Sequence, residues 1–185
     1  MSLPLYRRVL GRQFDELPAR VRELHDLDGA SVWEGRARVE RGRSLLARLA
    51  AALSSLPPEA DDCPLRVTFE PAGGKEIWSR QYGTALFRSV QYESGGLLRE
   101  RVGPSTFVFT AVASAEGLAL RLDGFRLLGL PMPRTLHPNV RTFEREHDGR
   151  YRFEVEAKLP LVGLLVRYAG WLERATRTPG AAGVD

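Results

Sequence analysis

A series of short alternating runs over residues 65–174 constrains the fold of this chain more than any other feature. Apolar and polar residues alternate within the runs, without a break over 151–158, and a period of two is typical of half-buried strands. Glycine-containing turns separate the runs, and Asp148-Gly149 favours a tight type I′ hairpin. Because parallel neighbours need long crossover connections, the short links predict antiparallel strands. The candidate strands are 65–70, 76–82, 85–92, 97–102, 105–114, 118–128, 140–146, 150–158 and 164–174.

One more alternating strand, 31–41, and a strongly apolar helix, 44–56, precede this series. The helix holds leucines and alanines with Arg48 as its only charge, and a helix apolar nearly all round is normally buried or faces a second apolar surface. We therefore expect it to pack on the inner face of the sheet. The predicted fold is α+β: a large curved antiparallel sheet of about nine strands, with a partly closed barrel as one form, packed on the apolar helix. Short helices over 5–11 and 17–27 precede it, and a cavity is expected between sheet and helix.

The length and composition predict one domain. The chain has 185 residues, of which 43% are hydrophobic and 27% charged, as in an ordinary globular protein. We expect a single domain over 1–175 and a disordered tail over 176–185. The single cysteine, Cys63, allows no internal disulfide, which fits a reducing cytoplasm. Residues 1–11 have arginines but no continuous apolar core after them, so no signal peptide is predicted. The longest apolar stretch, 159–172, is shorter than the roughly 20 residues that cross a bilayer, so no transmembrane segment is predicted.

The positive net charge of +4 does not predict nucleic-acid binding. Of 27 basic residues only Lys75 and Lys158 are lysines, and carboxylates are interleaved with the arginines. On strand 31–41, for example, Glu34 and Arg36 belong to an alternating series that suggests cross-strand ion pairs. A nucleic-acid interface would instead present a clustered basic face with stacking aromatics.

No catalytic or cofactor-binding signature is present in the sequence. There is no phosphate loop, no dinucleotide-binding glycine pattern and no nucleophile elbow. The three histidines, His25, His137 and His147, are far apart, and a metal site is not expected. Glutamates such as Glu100 are expected to point outward, which argues against paired acid–base chemistry. We predict no cofactor and favour a non-enzymatic role.

Two apolar segments, 125–133 and 158–172, place large aliphatic residues around glycine and proline. Such segments either close a core or line something apolar. If the Arg88 face of strand 85–92 is interior, its guanidinium needs an anionic partner, either Glu100 or a ligand carboxylate or phosphate; otherwise Arg88 lies on the surface. Large amphipathic aromatics either pack in the core or ring a pocket mouth. The candidate ligand-binding residues are Trp33, Arg88, Leu130, Met132, His137, Tyr168 and Trp171.

Several segments together resemble an uncharacterised bacterial family defined by a domain of unknown function. They are the opening 5–11, 39–43, 87–89, 100–103, 127–133 and 160–172. Members of that family resemble this chain as stand-alone proteins, or they form a C-terminal module behind a saccharopine-dehydrogenase-like nucleotide-binding domain. The resemblance implies no activity and no catalytic residues. Because this chain lacks the nucleotide-binding half, it implies no cofactor either.

Three functional hypotheses follow. The first is a non-catalytic module that binds a hydrophobic or amphipathic small molecule, such as a lipid, between curved sheet and helix. The second is a structural or interaction domain that associates with a partner enzyme module or a membrane through exposed apolar segments. The third is an enzyme for a small hydrophobic substrate, with His137 as general base and Arg88 or Arg101 holding an anion.

Overall fold

The computed structural model describes residues 3–53 and 56–175, and within them the chain forms a closed antiparallel β-barrel. Eleven strands follow the order β6-β5-β4-β3-β2-β1-β11-β10-β9-β7-β8, and a pairing of β6 with β7 closes the ring. The short strand β8 stands at the end of this order and pairs with β7. It therefore lies outside the ring, and the other ten strands form the wall. The strands are β1 (Ser31–Arg41), β2 (Ala60–Ala72), β3 (Lys75–Tyr82), β4 (Ala85–Ser94), β5 (Leu97–Val102), β6 (Ser105–Ser114), β7 (Gly117–Leu127), β8 (Leu130–Pro131), β9 (Asn139–His147), β10 (Arg150–Leu159) and β11 (Gly163–Arg174).

The predicted large antiparallel sheet is confirmed, and the barrel is closed rather than partly closed. Two series of hairpins run from β2 to β7 and from β9 to β11. Pairing of β1 with both β2 and β11, together with pairing of β7 with β9, joins the two series into one wall. The strand β2 begins at Ala60, inside an acidic segment that reads as a loop. The predicted tail over 176–185 lies outside the described residues.

Glycines allow the close approach of β1 to β11. A Cβ atom on Gly35 would lie 1.9 Å from the carbonyl oxygen of Trp171, and one on Gly170 would lie 2.3 Å from the carbonyl oxygen of Arg36. Neither distance is possible for a real side chain. Glycine inside a strand often marks such a tight bend in a barrel wall.

Short N-terminal helices close one end of the barrel, which we call the helix end. They are α1 (Leu5–Leu10), a 3₁₀ helix (Gly11–Glu16) and α2 (Ala19–His25). Arg20 Nε donates to the carbonyl oxygen of Gly149 at 2.9 Å, so α2 lies at the turn between β9 and β10. The apolar side chains of this segment are buried and join the barrel core: Leu5, Tyr6, Leu10, Phe14, Leu17, Val21 and Leu24.

The apolar helix α3 (Leu45–Leu53) lies at the opposite end of the barrel, which we call the distal end. A second 3₁₀ helix (Arg134–Leu136) is in the connection between β8 and β9. The structure differs from the expectation that α3 packs on the inner face of the sheet. The helix turns Ala47 and Ala51 inward and leaves Leu45, Leu46 and Leu49 exposed. The chain runs so close to β11 here that a Cβ on Gly42 would lie 1.8 Å from the Leu164 carbonyl oxygen; only small residues fit this contact.

Candidate functional site

The barrel encloses a cavity of about 130 Å³. Inward-pointing side chains of nine strands line it, together with Leu56 from the segment that follows α3. Its apolar lining includes Phe107, Phe109, Leu120, Val140, Phe153, Val155 and Val166. The cavity therefore lies inside the sheet, not between the sheet and α3.

Arg80 is the charged centre of this cavity. Its side chain is only 11% exposed, and its Nη1 donates to the Ser89 Oγ at 2.8 Å. Its Nη2 lies 3.4 Å from the Oε1 of Glu100. The guanidinium carbon is 4.7 Å from the Trp78 ring centre and 5.3 Å from that of Phe87. These contacts hold the guanidinium in one place against the cavity wall.

Arg80 remains protonated although its side chain is buried. Desolvation lowers the pKa of Arg80, but attraction to the Glu100 carboxylate and to nearby tyrosine oxygens outweighs it, so the pKa is raised. Burial also raises the pKa of Tyr168 to about 12, so this cavity-lining phenol stays protonated at neutral pH. Arginine and tyrosine can thus both donate hydrogen bonds to a guest.

A second buried polar group joins the N-terminal helices to the barrel. His25 is fully buried, and its Nε2 lies 2.6 Å from the Oε2 of Glu144 on β9. Tyr6 donates its hydroxyl proton to Gln91 Oε1 at 2.9 Å, and its ring lies 3.8 Å from the His25 ring. Because Gln91 and Glu144 also line the cavity, the floor of the cavity at the helix end depends on these helices.

Glu76 belongs to the same group. Its two oxygens accept from the Leu5 backbone nitrogen at 3.3 Å and from Trp78 Nε1 at 3.1 Å. Burial raises the pKa of Glu76, although the hydrogen bond from Trp78 and the nearby His25 act in the opposite direction. A buried carboxylate of this kind destabilises the fold when it is ionised.

Of the seven candidate ligand-binding residues, the structure places Tyr168 in the cavity lining. Trp33 is buried in the core, 6.4 Å from the Tyr151 ring. Arg88 is exposed on the outer face of β4, where its Nε donates to Ser79 Oγ. Trp171 packs under the guanidinium of Arg150 at 4.4 Å.

The other three candidates lie on the connection between β7 and β9 at the distal end. Leu130 is exposed, whereas Met132 and His137 are half-buried. His137 Nε2 lies 2.9 Å from the Met132 carbonyl oxygen. His137 borders a shallow surface cleft, while Arg88 and Arg101 are exposed on other strands. The structure therefore does not bring together the residues that the enzymatic hypothesis combines.

Arg80 is not among the residues predicted from the sequence, and the prediction that Glu100 points outward is wrong. Arg80 alternates in phase with Trp78 and Tyr82 on β3, and two inward aromatics were the signal that could have placed it inside. Glu100 points into the barrel because β5 pairs it with the inward Gln91. No comparable signal exists for His25, whose burial depends on how α2 docks.

The described residues hold no group of three or more side chains that could bind a metal ion. Within the same residues, no helix is both long and apolar enough to cross a membrane.

Comparisons with known proteins place these features in a family. A family model with the description "Domain of unknown function (DUF4166)" matches residues 17–172. No curated protein matches the chain. Among solved structures, the chain is similar to the crystal structure of Rv2717c from M. tuberculosis, with 14% identity and a TM-score of 0.45. The match covers 86% of this chain and 99% of that one.

Proposed function

Given that this chain belongs to a family of unknown function, DUF4166, we propose that its barrel is a non-catalytic module that binds one small amphipathic molecule in the interior cavity. The observation that carries the proposal is a charged, nearly buried Arg80 in a cavity whose lining is otherwise mostly apolar. Ligand sites typically combine an apolar lining with a few placed polar groups.

The cavity size limits the guest. A water molecule in the liquid occupies about 30 Å³, so a cavity of about 130 Å³ holds roughly four waters or one small organic molecule. A long lipid chain would need the wall or the distal end to open. The proposed ligand is therefore compact.

The arrangement of polar groups gives the ligand an orientation. Arg80, Gln91 and Glu100 come from the adjacent strands β3, β4 and β5. Most of the apolar lining comes from β6, β7 and β9 to β11, where Glu144 is paired with His25 and Tyr168 offers one further donor. A ligand would turn a hydrogen-bond acceptor, such as a carbonyl or carboxylate oxygen, toward Arg80 and its apolar body toward the opposite wall.

A matched pair of variants tests this proposal. Arg80→Met combined with Glu100→Gln removes the interior charge pair with little change in volume, so that no buried charge is left alone. Arg88→Met removes an arginine from the outer face of the neighbouring strand and is the control. Binding of benzoate, a compact molecule with one carboxylate and one apolar ring, is titrated by calorimetry.

Wild-type protein and the Arg88 variant should bind the probe equally. The interior double variant should bind about tenfold more weakly, as expected when a hydrogen bond to a charged group is lost. Denaturing mass spectrometry of natively purified protein checks for a retained molecule. Equal probe affinity in all three proteins, with no retained molecule, would contradict the proposal.

A further inference from the structure

The distal end of the barrel carries most of the exposed apolar surface. Among the described residues, twelve large hydrophobic side chains are exposed, and eight of them lie in three segments, 42–53, 127–138 and 159–163. We call these three segments the leucine rim. Its exposed members are Leu45, Leu46, Leu49, Leu127, Leu128, Leu130, Leu136 and Leu161. Large exposed patches of this kind usually mark a contact surface.

The three segments are neighbours around the barrel. Segment 42–53 connects β1 to β2, segment 159–163 connects β10 to β11, and segment 127–138 connects β7 to β9. Because the strand order is β1-β11-β10-β9-β7, these three connections are adjacent. The Gly42 nitrogen donates to the Leu165 carbonyl oxygen at 3.2 Å, which joins the first segment to β11. The leucine rim is therefore one continuous arc at the end opposite the N-terminal helices.

Two of the rim leucines have an unusual backbone conformation. Leu128 has φ 52° and Leu161 has φ 62°, in the left-handed region that favours glycine, asparagine or aspartate. Both are among the most exposed side chains, Leu128 at 78% and Leu161 at 104%. Neither folding nor solubility favours leucine at such a position. Strained residues of this kind cluster where a surface is used.

The charges of the rim have one sign. Its three segments contain Arg43, Arg48 and Arg134, and no aspartate or glutamate. All three arginines are exposed. At the helix end, by contrast, arginines such as Arg7 and Arg20 form ion pairs with carboxylates. Two of the acidic residues that follow the first rim segment, Asp61 and Asp62, are paired with Arg38 and Arg36 on β1. An apolar arc whose own charges are all arginines matches the negatively charged surface of a lipid bilayer, where leucines enter the interface and arginines meet phosphates.

From this match we propose that the leucine rim docks the barrel on the surface of an anionic membrane. The proposal is independent of the ligand proposed for the cavity. Docking places the distal end toward the lipid and the N-terminal helices away from it. The rim lies on the surface of the bilayer and does not span it.

Vesicle flotation tests the proposal with the purified full chain. The vesicles contain either phosphatidylcholine alone or phosphatidylcholine with about 30% phosphatidylglycerol, since anionic lipid supplies the attraction. Wild-type protein should float with the anionic vesicles and about tenfold less with the neutral ones, and salt should weaken the binding. A wild-type protein that stays unbound to anionic vesicles at low salt overturns the proposal.

A double variant, Leu128→Asn with Leu161→Asn, separates docking from folding. Asparagine tolerates the left-handed conformation better than leucine, so the melting temperature should stay the same or rise. Binding to anionic vesicles should fall about tenfold or more as apolar contacts are lost. Leu3→Asn is the control, because Leu3 is an exposed leucine outside the rim at the start of α1.

Two outcomes would refute docking on lipid even if wild-type protein floats. In the first, the asparagine double variant floats as well as the wild type and the Leu3 variant. In the second, sedimentation shows that wild-type protein is a dimer that the double variant converts to a monomer, which makes the rim a contact between two copies of this chain.

Discussion

Replacing His25 by leucine should lower the free energy of unfolding by about 3–5 kcal/mol, as expected when one partner of a buried ionisable pair is removed. His25 is fully buried, and Glu144 is 4% exposed. The two side chains approach to 2.6 Å. Since a domain of this size has a total stability of about 5–15 kcal/mol, the loss is a large fraction of it.

The double variant His25→Leu with Glu144→Leu tests whether the His25 variant loses stability because Glu144 is left unpaired or because packing is changed. Replacing a whole buried pair by apolar residues is often neutral or stabilising. Tyr151, whose pKa is raised by burial and by the Glu144 carboxylate, then loses that charged neighbour. We therefore expect the double variant to be more stable than the His25 variant by about 2–3 kcal/mol.

Urea unfolding followed by tryptophan fluorescence measures these differences, because the Trp78 ring lies 5.7 Å from the His25 ring. His147→Leu is the matched control, since His147 is exposed and its contact with Asp148 is a surface contact worth less than about 1 kcal/mol. The reasoning is refuted if the His25 variant loses no more than the His147 variant. It is also refuted if the double variant loses as much stability as the His25 variant or more.

Three further predictions concern the same barrel. Gly35→Ala should prevent the native pairing of β1 with β11, because its Cβ would lie 1.9 Å from the Trp171 carbonyl oxygen, and circular dichroism should show loss of the folded state. Tyr6→Phe should cost about 1–3 kcal/mol in urea unfolding, because it leaves the buried Gln91 oxygen without its donor; a smaller loss than for an exposed tyrosine would contradict this. Burial raises the pKa of Glu76, so its favourable contribution is present at low pH and is lost as the pH rises through the folded-state pKa. Glu76→Gln should therefore gain stability relative to wild type as the pH rises above the ordinary carboxyl pKa, and a stability difference that does not change with pH would refute the assignment.

The sequence predicts the strands of this barrel well because each strand signal is local. Alternation over 151–158, for example, gives one buried and one solvated face, and Asp148-Gly149 fixes the turn before it. Closure is not local. It depends on the pairing of Trp33 with Arg174 and the register that follows from it, and these residues come from opposite ends of the chain. Alternation reports which face of a strand is apolar, but it does not report which strand lies next to it.

The interior polar residues were harder to predict for a related reason. Arg80 and Glu100 are each a single charge at an inward position of a strand, where the alternating pattern predicts an apolar residue. Burial of such a charge is unfavourable unless a partner is present. The partner comes from two strands away, and the pair becomes acceptable only when β3, β4 and β5 are in register. Arg88 is also a single charge within a strand, but it lies on the outer face of β4. The sequence alone did not distinguish Arg88 from the inward-pointing Arg80.

The helix α3 shows why hydrophobicity does not by itself decide which face of a helix is buried. Its leucines provide more apolar area than its alanines, so transfer free energy alone would turn them inward. The distance between backbones decides otherwise. Where Gly42 already approaches the Leu164 carbonyl oxygen too closely for any side chain, only Ala47 and Ala51 fit against the sheet, and a leucine there would overpack the contact. Leu45, Leu46 and Leu49 then face outward beside Arg43 and Arg48. The same close contact that attaches the helix to the barrel thus creates the apolar and cationic surface at its distal end.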